Sequence, residues 1–245
     1  MEHCRLFNIL DSVDSTNNYA MAKVHEGLAT HGMAWFAHEQ RAGKGQRGKH
    51  WVSDAGQNIL LSIVIKPALI FRVRPFYLSA LIALCCQEFL EKNTGQHFFI
   101  KWPNDLYWDD RKAGGILIEN IFNGTEWKWA VVGIGINVNQ QQFLTPGLRA
   151  VSLNEITKQV KDPVLLAREL HAYILDKFNS TTEHNMNEIL LKYNKSLFKK
   201  NEQVKLRKNF ALFLTTIKGV NETGQLVTED VMERHFNFGG VEWIL

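Results

Sequence analysis

Lys101-Trp102-Pro103-Asn104-Asp105, continued five residues later by Arg111-Lys112-Ala113-Gly114-Gly115-Ile116-Leu117-Ile118-Glu119, constrains the fold and the chemistry of this chain more tightly than any other stretch. The spacing predicts a strand that delivers Lys101, a bend fixed by Pro103, and a short hairpin turning at Asp109-Asp110 that returns Lys112 to the same end. Asn104 and Asp105 offer oxygen ligands at the bend. The small residues Ala113, Gly114 and Gly115 leave room for a ligand beside Lys112. On its own the stretch could be an exposed hairpin with incidental charges.

A second stretch upstream makes that bland reading hard to hold. Gly43-Lys44-Gly45-Gln46-Arg47-Gly48-Lys49-His50-Trp51 joins a flexible backbone, several cations and an indole in nine residues. Glycines let backbone N–H groups approach an anion, Lys and Arg add charge, and an aromatic face can stack on a base. The implied ligand is a nucleotide or an acyl-nucleotide. Gly43, Gly45 and Gly48 fit the dinucleotide pattern G-x-G-x-x-G, and Gly43, Gly48 and Lys49 fit the P-loop except that His50 stands where Ser or Thr is required. Both motifs run from a strand straight into a helix, whereas Trp51-Val52-Ser53-Asp54-Ala55-Gly56 reads as continued loop. Neither motif is assigned.

Working outward, strand and helix patterns alternate through the first half. Residues 6–10, 33–38 and 58–65 are β-leaning, and 16–26 reads as a helix capped by Ser15 and stopped by Gly27. A helix over 76–94 carries a broad apolar stripe of Leu78, Leu81, Ile82, Cys85, Phe89 and Leu90. Strands are expected at 98–102, 115–121 and 127–138, with a further turn at Asn123-Gly124. Later, Ser152-Leu153-Asn154-Glu155 is a capping-box pattern, 163–178 is an amphipathic helix entered by a proline, and 188–198 is another helix. From about residue 201 the pattern changes to short strands and turns at 204–206, 212–220, 221–224, 226–228, 235–238 and 241–245. The fold class expected is α+β: a mixed sheet with helices on one face over residues 1–198, then a small β-barrel over 199–245. About 45 residues make a poor independent core, so the barrel should lean on the first unit.

Composition narrows the class. The 245 residues carry 28 basic and 25 acidic side chains, a net charge of +3 that gives no argument for nucleic acid. Of the three cysteines, Cys85 and Cys86 are adjacent in an apolar helical run and read as core residues in a reducing compartment rather than as a zinc site. The start, Met1-Glu2-His3-Cys4-Arg5, has no apolar secretory core, and no uncharged run is long enough to span a bilayer. A cytoplasmic enzyme without membrane association is expected.

At this point the chain resembles the biotin protein ligase family. The matching pieces stand in order: Asp14-Ser15-Thr16-Asn17, then Glu39-Gln40-Arg41-Ala42 leading into the 43–51 loop, then the 101–119 block, then Val132-Gly133-Ile134-Gly135-Ile136-Asn137. The end of the chain, Gly239-Gly240-Val241-Glu242-Trp243, resembles the family's SH3-like domain. The resemblance implies a class II synthetase-like catalytic domain with that small domain appended. It implies a monofunctional ligase that uses ATP and Mg²⁺ to activate biotin as biotinoyl-5′-AMP and passes it to a lysine of a biotin carboxyl carrier protein.

By the same resemblance Lys112 serves both the biotin carboxylate and the α-phosphate. Ser15, Thr16, Asn17 and Gln40 surround the ureido ring, with Gly115 contributing backbone. Lys44, Gly45 and Gln46 close on the intermediate, with Arg47 beside them, Trp51 is the adenine platform, and Asn137 meets the nucleotide. Asp105, with Asn104, organises Mg²⁺ or the incoming lysine. Two departures stand out. The family's Gly-Arg-Gly-Arg loop is here Gly-Lys-Gly-Gln, which exchanges a guanidinium for a point charge at Lys44 and removes the charge at Gln46. The chain also begins almost at the catalytic domain, so specific DNA binding is not expected. The oligomeric state stays open, a homodimer among the alternatives. A lipoate or octanoate ligase of related architecture, or a docking module without turnover, are the rival readings.

Overall fold

A computed structural model of the chain describes residues 6–143 and 149–244. The start on which the secretory reading rests, with Cys4, and the last residue of the expected final strand lie outside the described residues.

Seven strands form the main sheet: β1 (Phe7–Val13), β2 (Ala34–Gln40), β3 (Asn58–Ile65), β4 (Phe99–Lys101), β5 (Asp105–Trp108), β6 (Arg111–Asn123) and β7 (Glu126–Asn137). Their order is β1-β2-β3-β7-β6-β5-β4. β1 and β2 run parallel, joined by a crossover through helix α1 (Thr16–His25), and every other neighbouring pair is antiparallel, so the sheet is mixed. Asn58 to Ile65 is buried throughout, as befits a central strand covered on both sides. On one face Ala34, Phe36, Ile59, Leu61, Ile63 and Ile65 pack under α3 (Pro75–Thr94) and α5 (Pro163–Ser180). The expected stack of helices lies there. α1 is the exception, packing on the opposite face over Trp35, Val64 and Val131. It covers only part of that face and leaves the rest for the site.

Several local expectations are corrected. Ser15 stands at the N-cap of α1 without making a side-chain cap bond. One short element, α2 (Leu69–Val73), has no signal in the sequence, whereas the hairpin expected at Asp109-Asp110 forms between the four-residue β5 and the start of β6. Ahead of α4 (Leu153–Thr157) only half of the capping box forms. Ser152 accepts from the Glu155 N–H at 3.3 Å, while the Glu155 carboxylate turns to Arg111. The helix expected over 188–198 is α6 (Met186–Lys195), and Phe198 lies beyond it, bonding through its N–H to the Ile100 carbonyl. Cys85 and Cys86 are buried free thiols, and burial pushes both well up from the usual thiol range.

The second sheet holds β8 (Gln203–Lys208), β9 (Ala211–Val220), β10 (Leu226–Glu229), β11 (Glu233–Phe236) and β12 (Glu242–Ile244), all antiparallel, in order β11-β10-β9-β8-β12. It fits the expected SH3-like module. Its interior residues Leu206, Ile217, Leu226 and Phe236 belong to the same continuous core as the first sheet. The Trp102 indole N–H donates to the Gly224 carbonyl at 2.9 Å, and Tyr193 donates to the Pro103 carbonyl at 2.8 Å. The bend after Lys101 is thus clamped by α6 and by the second sheet.

Candidate active site

The strand register builds the floor of the site. Leu60, Gly135, Gly115, Asp105 and Lys101 are successive partners across β3, β7, β6, β5 and β4, and Ser62, Gly133 and Leu117 form the next row on the same side. Three of these eight positions are glycine, which opens a trough on the sheet face that α3 and α5 do not cover. A Cβ added at Gly135 would come within 2.6 Å of the Trp51 ring, and one at Gly133 would collide with the Asn17 carboxamide. The missing side chains are therefore what admits Trp51 and Asn17.

At one end of the trough lies a closed polar network at the start of α1. Thr16 gives both its backbone N–H, at 2.7 Å, and its hydroxyl, at 3.0 Å, to the Gln40 side-chain carbonyl. The Ser62 hydroxyl lies 2.8 Å from Thr16 Oγ1 and 2.6 Å from Asn17 Oδ1, and its single proton serves one of them at a time. Asn17 Nδ2 donates to Glu119 Oε2 at 2.8 Å. Ser15, Thr16 and Asn17 are all buried.

The other end is charged. Lys112 Nζ sits 2.7 Å from Asp105 Oδ1 and 5.7 Å from the centre of the Trp51 ring. A Cβ on Gly115 would be 3.3 Å from both Asp105 Oδ1 and Lys112 Nζ, so this glycine makes room for the pair. Asn137 donates through Nδ2 to the carbonyls of Lys112 and Val151, at 3.3 and 3.2 Å, and so fixes the backbone that carries the lysine. Asn104 donates to the Ile116 carbonyl. Lys101 lies over the rings of Tyr107 and Trp243, and its ammonium is pushed down to about 8, chiefly by burial and partly offset by Asp105.

The 43–51 loop folds over the trough as a tight turn. Lys44 pairs with His50, the Gly45 N–H donates to the Lys49 carbonyl at 2.7 Å, and a single 3₁₀ turn covers Gln46–Gly48. No helix follows, which removes the P-loop and dinucleotide readings on structural grounds as well. Lys44 Nζ lies 3.6 Å from Glu119 Oε1, and Gln46 Nε2 donates to the same Ile116 carbonyl as Asn104, at 3.3 Å. Arg47, at φ 56°, places its guanidinium against Gly239 of the C-terminal segment. The Trp51 Nε1 is buried with no hydrogen-bond partner.

The structure thus brings together Thr16, Asn17, Gln40, Lys44, Gln46, Trp51, Asn104, Asp105, Lys112, Gly115 and Asn137, with Arg47 beside Gly239 of the C-terminal segment. Ser62 and Glu119 were missed as site residues. A lone hydroxyl inside an otherwise apolar run from Ile59 to Ile65 was the available signal for Ser62; only the register reveals Glu119. Among the described residues no group of three or more His, Cys, Asp or Glu side chains could hold a metal ion unaided. A cavity of about 540 Å³ near Phe99, Asp109 and Lys199 contains none of the residues named above as site residues.

Residues 9–137, more than half of the chain, match the model of the biotin/lipoate A/B protein ligase family. Over 134 residues the chain is 37% identical to the Escherichia coli bifunctional ligase/repressor BirA, covering 53% of this chain and 40% of that protein. It is 38% identical over 133 residues to the Paracoccus denitrificans biotin–[acetyl-CoA-carboxylase] ligase, covering 53% of each. The matches thus span about half the length of these curated relatives or less. Among solved structures, the Aquifex aeolicus biotin protein ligase in complex with biotin and ATP superposes with a TM-score of 0.78 at 26% identity, over 96% of this chain and 97% of that one. The Leishmania major biotin protein ligase, at 22% identity and a TM-score of 0.69, shares the fold. Motif order, register and these likenesses converge: the chain belongs to the biotin/lipoate A/B protein ligase family.

Proposed function

We propose that this chain is an ATP-dependent biotin protein ligase that forms biotinoyl-5′-AMP and transfers the biotinoyl group to a lysine of a biotin carboxyl carrier protein. The observation that carries the reading is the single trough joining a hydrogen-bonding end, at Thr16, Asn17 and Gln40, to a cationic end at Lys112. A substrate with a polar cyclic head, an apolar chain and a carboxylate matches that order. The Aquifex neighbour, which holds biotin and ATP, supports it.

In the first half-reaction a carboxylate oxygen of biotin bonds to the α-phosphorus, the bond from that phosphorus to the bridging oxygen breaks, and pyrophosphate leaves. Two anions must meet, so fixed positive charge has to be in place beforehand. Lys112 supplies it as a compact ammonium held by Asp105. In the second half-reaction the acceptor amine attacks the acyl carbon and AMP departs, the amine losing a proton. Asp105 lies where its carboxylate can orient that amine once Lys112 has shifted to phosphate. Mg²⁺ arriving with the triphosphate requires only one or two protein oxygens, because the phosphates furnish the remainder. Asp105 and the Asn104 side-chain oxygen fit that demand, and the metal would neutralise the leaving pyrophosphate. We assign Lys44, Gly45 and Gln46 to closing the loop on the adenylate and Trp51 to the adenine, and we divide the chain at 198/199. The low net charge supports the absence of operator binding.

Biotin-dependent exchange of pyrophosphate into ATP, run beside lipoate and octanoate, tests the reading. Exchange with biotin alone is expected. Exchange driven by lipoate would transfer the assignment to the other branch of the family, and none with any acid would leave a docking module.

A further inference from the structure

Glu119 lies on the trough side of β6, opposite Val131, and touches both the polar end of the trough and the loop that folds over it. Its Oε2 accepts from Asn17 Nδ2 at 2.8 Å, and its Oε1 faces Lys44 Nζ at 3.6 Å. The first contact decides which way the Asn17 carboxamide points. With Nδ2 spent on Glu119 and on the Leu117 carbonyl at 3.4 Å, Oδ1 faces Ser62 at 2.6 Å. Both acceptors take a proton only from the nitrogen, and the carboxylate, at 2.8 Å against 3.4 Å and charged, is the stronger of the two. The second contact holds the first cation of the loop against the sheet, where the Gln46 bond to Ile116 also seats it.

We propose that Glu119 is a positioning residue shared by the polar end of the trough and the loop over it: one carboxylate oxygen fixes the Asn17 carboxamide for the ureido ring, and the other holds Lys44 until a phosphate draws it away. The proposal rests on the biotin ligase reading and deepens it. Lys44 cannot serve Glu119 and an incoming phosphate at full strength together, so nucleotide binding has to overcome this contact. A half-exposed pair is worth little, which is what a loop that must move requires. The bond to Asn17, more enclosed and charge-assisted, is the stronger of the two.

Glu119→Gln and Glu119→Ala separate the two arms. Glutamine keeps an oxygen that can accept from Asn17 but drops the charge toward Lys44, whereas alanine removes both. Calorimetry with biotin and no nucleotide reads the first arm. The affinity of Glu119→Ala is expected to fall on the order of tenfold or more, as loss of a hydrogen bond to a charged group commonly costs, and that of Glu119→Gln to remain within about threefold. Trypsin cleavage at Lys44, Arg47 and Lys49 in the absence of substrates reads the second arm. Both variants are expected to be cut a few-fold faster, roughly the range of a surface ion pair. Wild-type biotin affinity in Glu119→Ala, or equal losses in both variants, overturns the first arm, and unchanged cleavage in both overturns the second. If alanine does not fold, Glu119→Asp takes its place: it keeps the charge but withdraws from Asn17, and wild-type biotin affinity there overturns the first arm equally. Failure of the wild-type chain to bind biotin would overturn the ligase reading while the cleavage arm still reported on the Lys44 contact.

Discussion

Lys112 is largely enclosed, paired with one carboxylate, and lies 5.7 Å from the centre of the Trp51 ring. Methionine preserves most of its stem and removes the charge, so Lys112→Met is expected to leave the fold intact and to lower the rate of adenylate formation on the order of 10²-fold or more. Near-wild-type pyrophosphate release by a folded variant would remove Lys112 from the chemistry. Lys101, the cross-strand partner of Asp105, is governed by burial instead. Its ammonium titrates near 8 in the folded chain against 10.5 for the ordinary side chain, so the folded state binds fewer protons between those values. Stability from this residue therefore rises with pH from about 8 to about 10.5, and below 8 the charged form is held at a constant cost. Relative to wild type, Lys101→Met is expected to be most favourable at pH 7 and to lose that advantage by pH 10. Melting temperatures of both proteins across that range check it, and a difference independent of pH would mean that packing against Tyr107 and Trp243 dominates. Residue types alone pointed to Lys112 and Asp105. They gave no hint of Glu119, whose role comes from a register that places it beside Asn17 and Lys44, residues 102 and 75 positions away in the chain.

Among the elements, long ones were legible and short ones were not. β3 is apolar from Ile59 to Ile65 but for Ser62, and α3 has a proline at its entry and Gly95 at φ 67° as its stop, so local chemistry and burial agree. β5 and α2 contain four and five residues, too few for a period to show, and are fixed by neighbours instead. The 43–51 loop could be read as anion-binding from its composition, but its docking on the Ile116 carbonyl could not. That docking makes a prediction about the departure at Gln46. Arginine there can still donate to the Ile116 carbonyl and adds a charge for phosphate, so Gln46→Arg is expected to slow release of bound adenylate on the order of tenfold, charge-assisted bonds being about twice as strong. Preloading with labelled biotin and ATP and following the loss of adenylate measures the off-rate directly, and no change would assign retention to other residues. On the floor, Gly135→Ala would place a methyl group 2.6 Å from the Trp51 ring, closer than side-chain carbons approach. The indole must move, and adenylate formation is expected to fall by about tenfold or more, as misplacement of site groups commonly costs. A near-ultraviolet dichroism difference from wild type that vanishes in the Trp51→Phe background would attribute the effect to that ring; full activity would show that Trp51 may leave the floor freely.

The two sheets share one core, and that continuity governs the whole molecule. The five-stranded sheet is of a size that gains little from its own interior. It is joined to α6 by a pair of bonds that imitate a strand ladder: Asn194 Nδ2 donates to the Val220 carbonyl at 2.9 Å, and Asn194 Oδ1 accepts from the Val220 N–H at 2.6 Å. Trp102 and Phe76 lie against the adjoining turn at Gly224. Because Trp102 precedes the Pro103 bend, the seam between the sheets reaches the residues that place Asn104 and Asp105. Sequence indicated that the small module would lean on its neighbour, through its length, but not where, since Asn194 and Val220 carry no pattern that announces their pairing. Asn194→Ala leaves the N–H and carbonyl of Val220 without their partners, at about 1–3 kcal/mol for each group left buried. In a chain of this size about 2–4 °C is lost per kcal/mol, so the melting temperature is expected to drop by roughly 4–8 °C or more. The drop should appear as a displacement of one cooperative transition, followed equally by far-ultraviolet dichroism and by binding of biotin. A new early transition confined to the loss of β signal, with the main one unmoved, would show instead that the C-terminal sheet melts by itself and that the division at 198/199 separates two independent folding units.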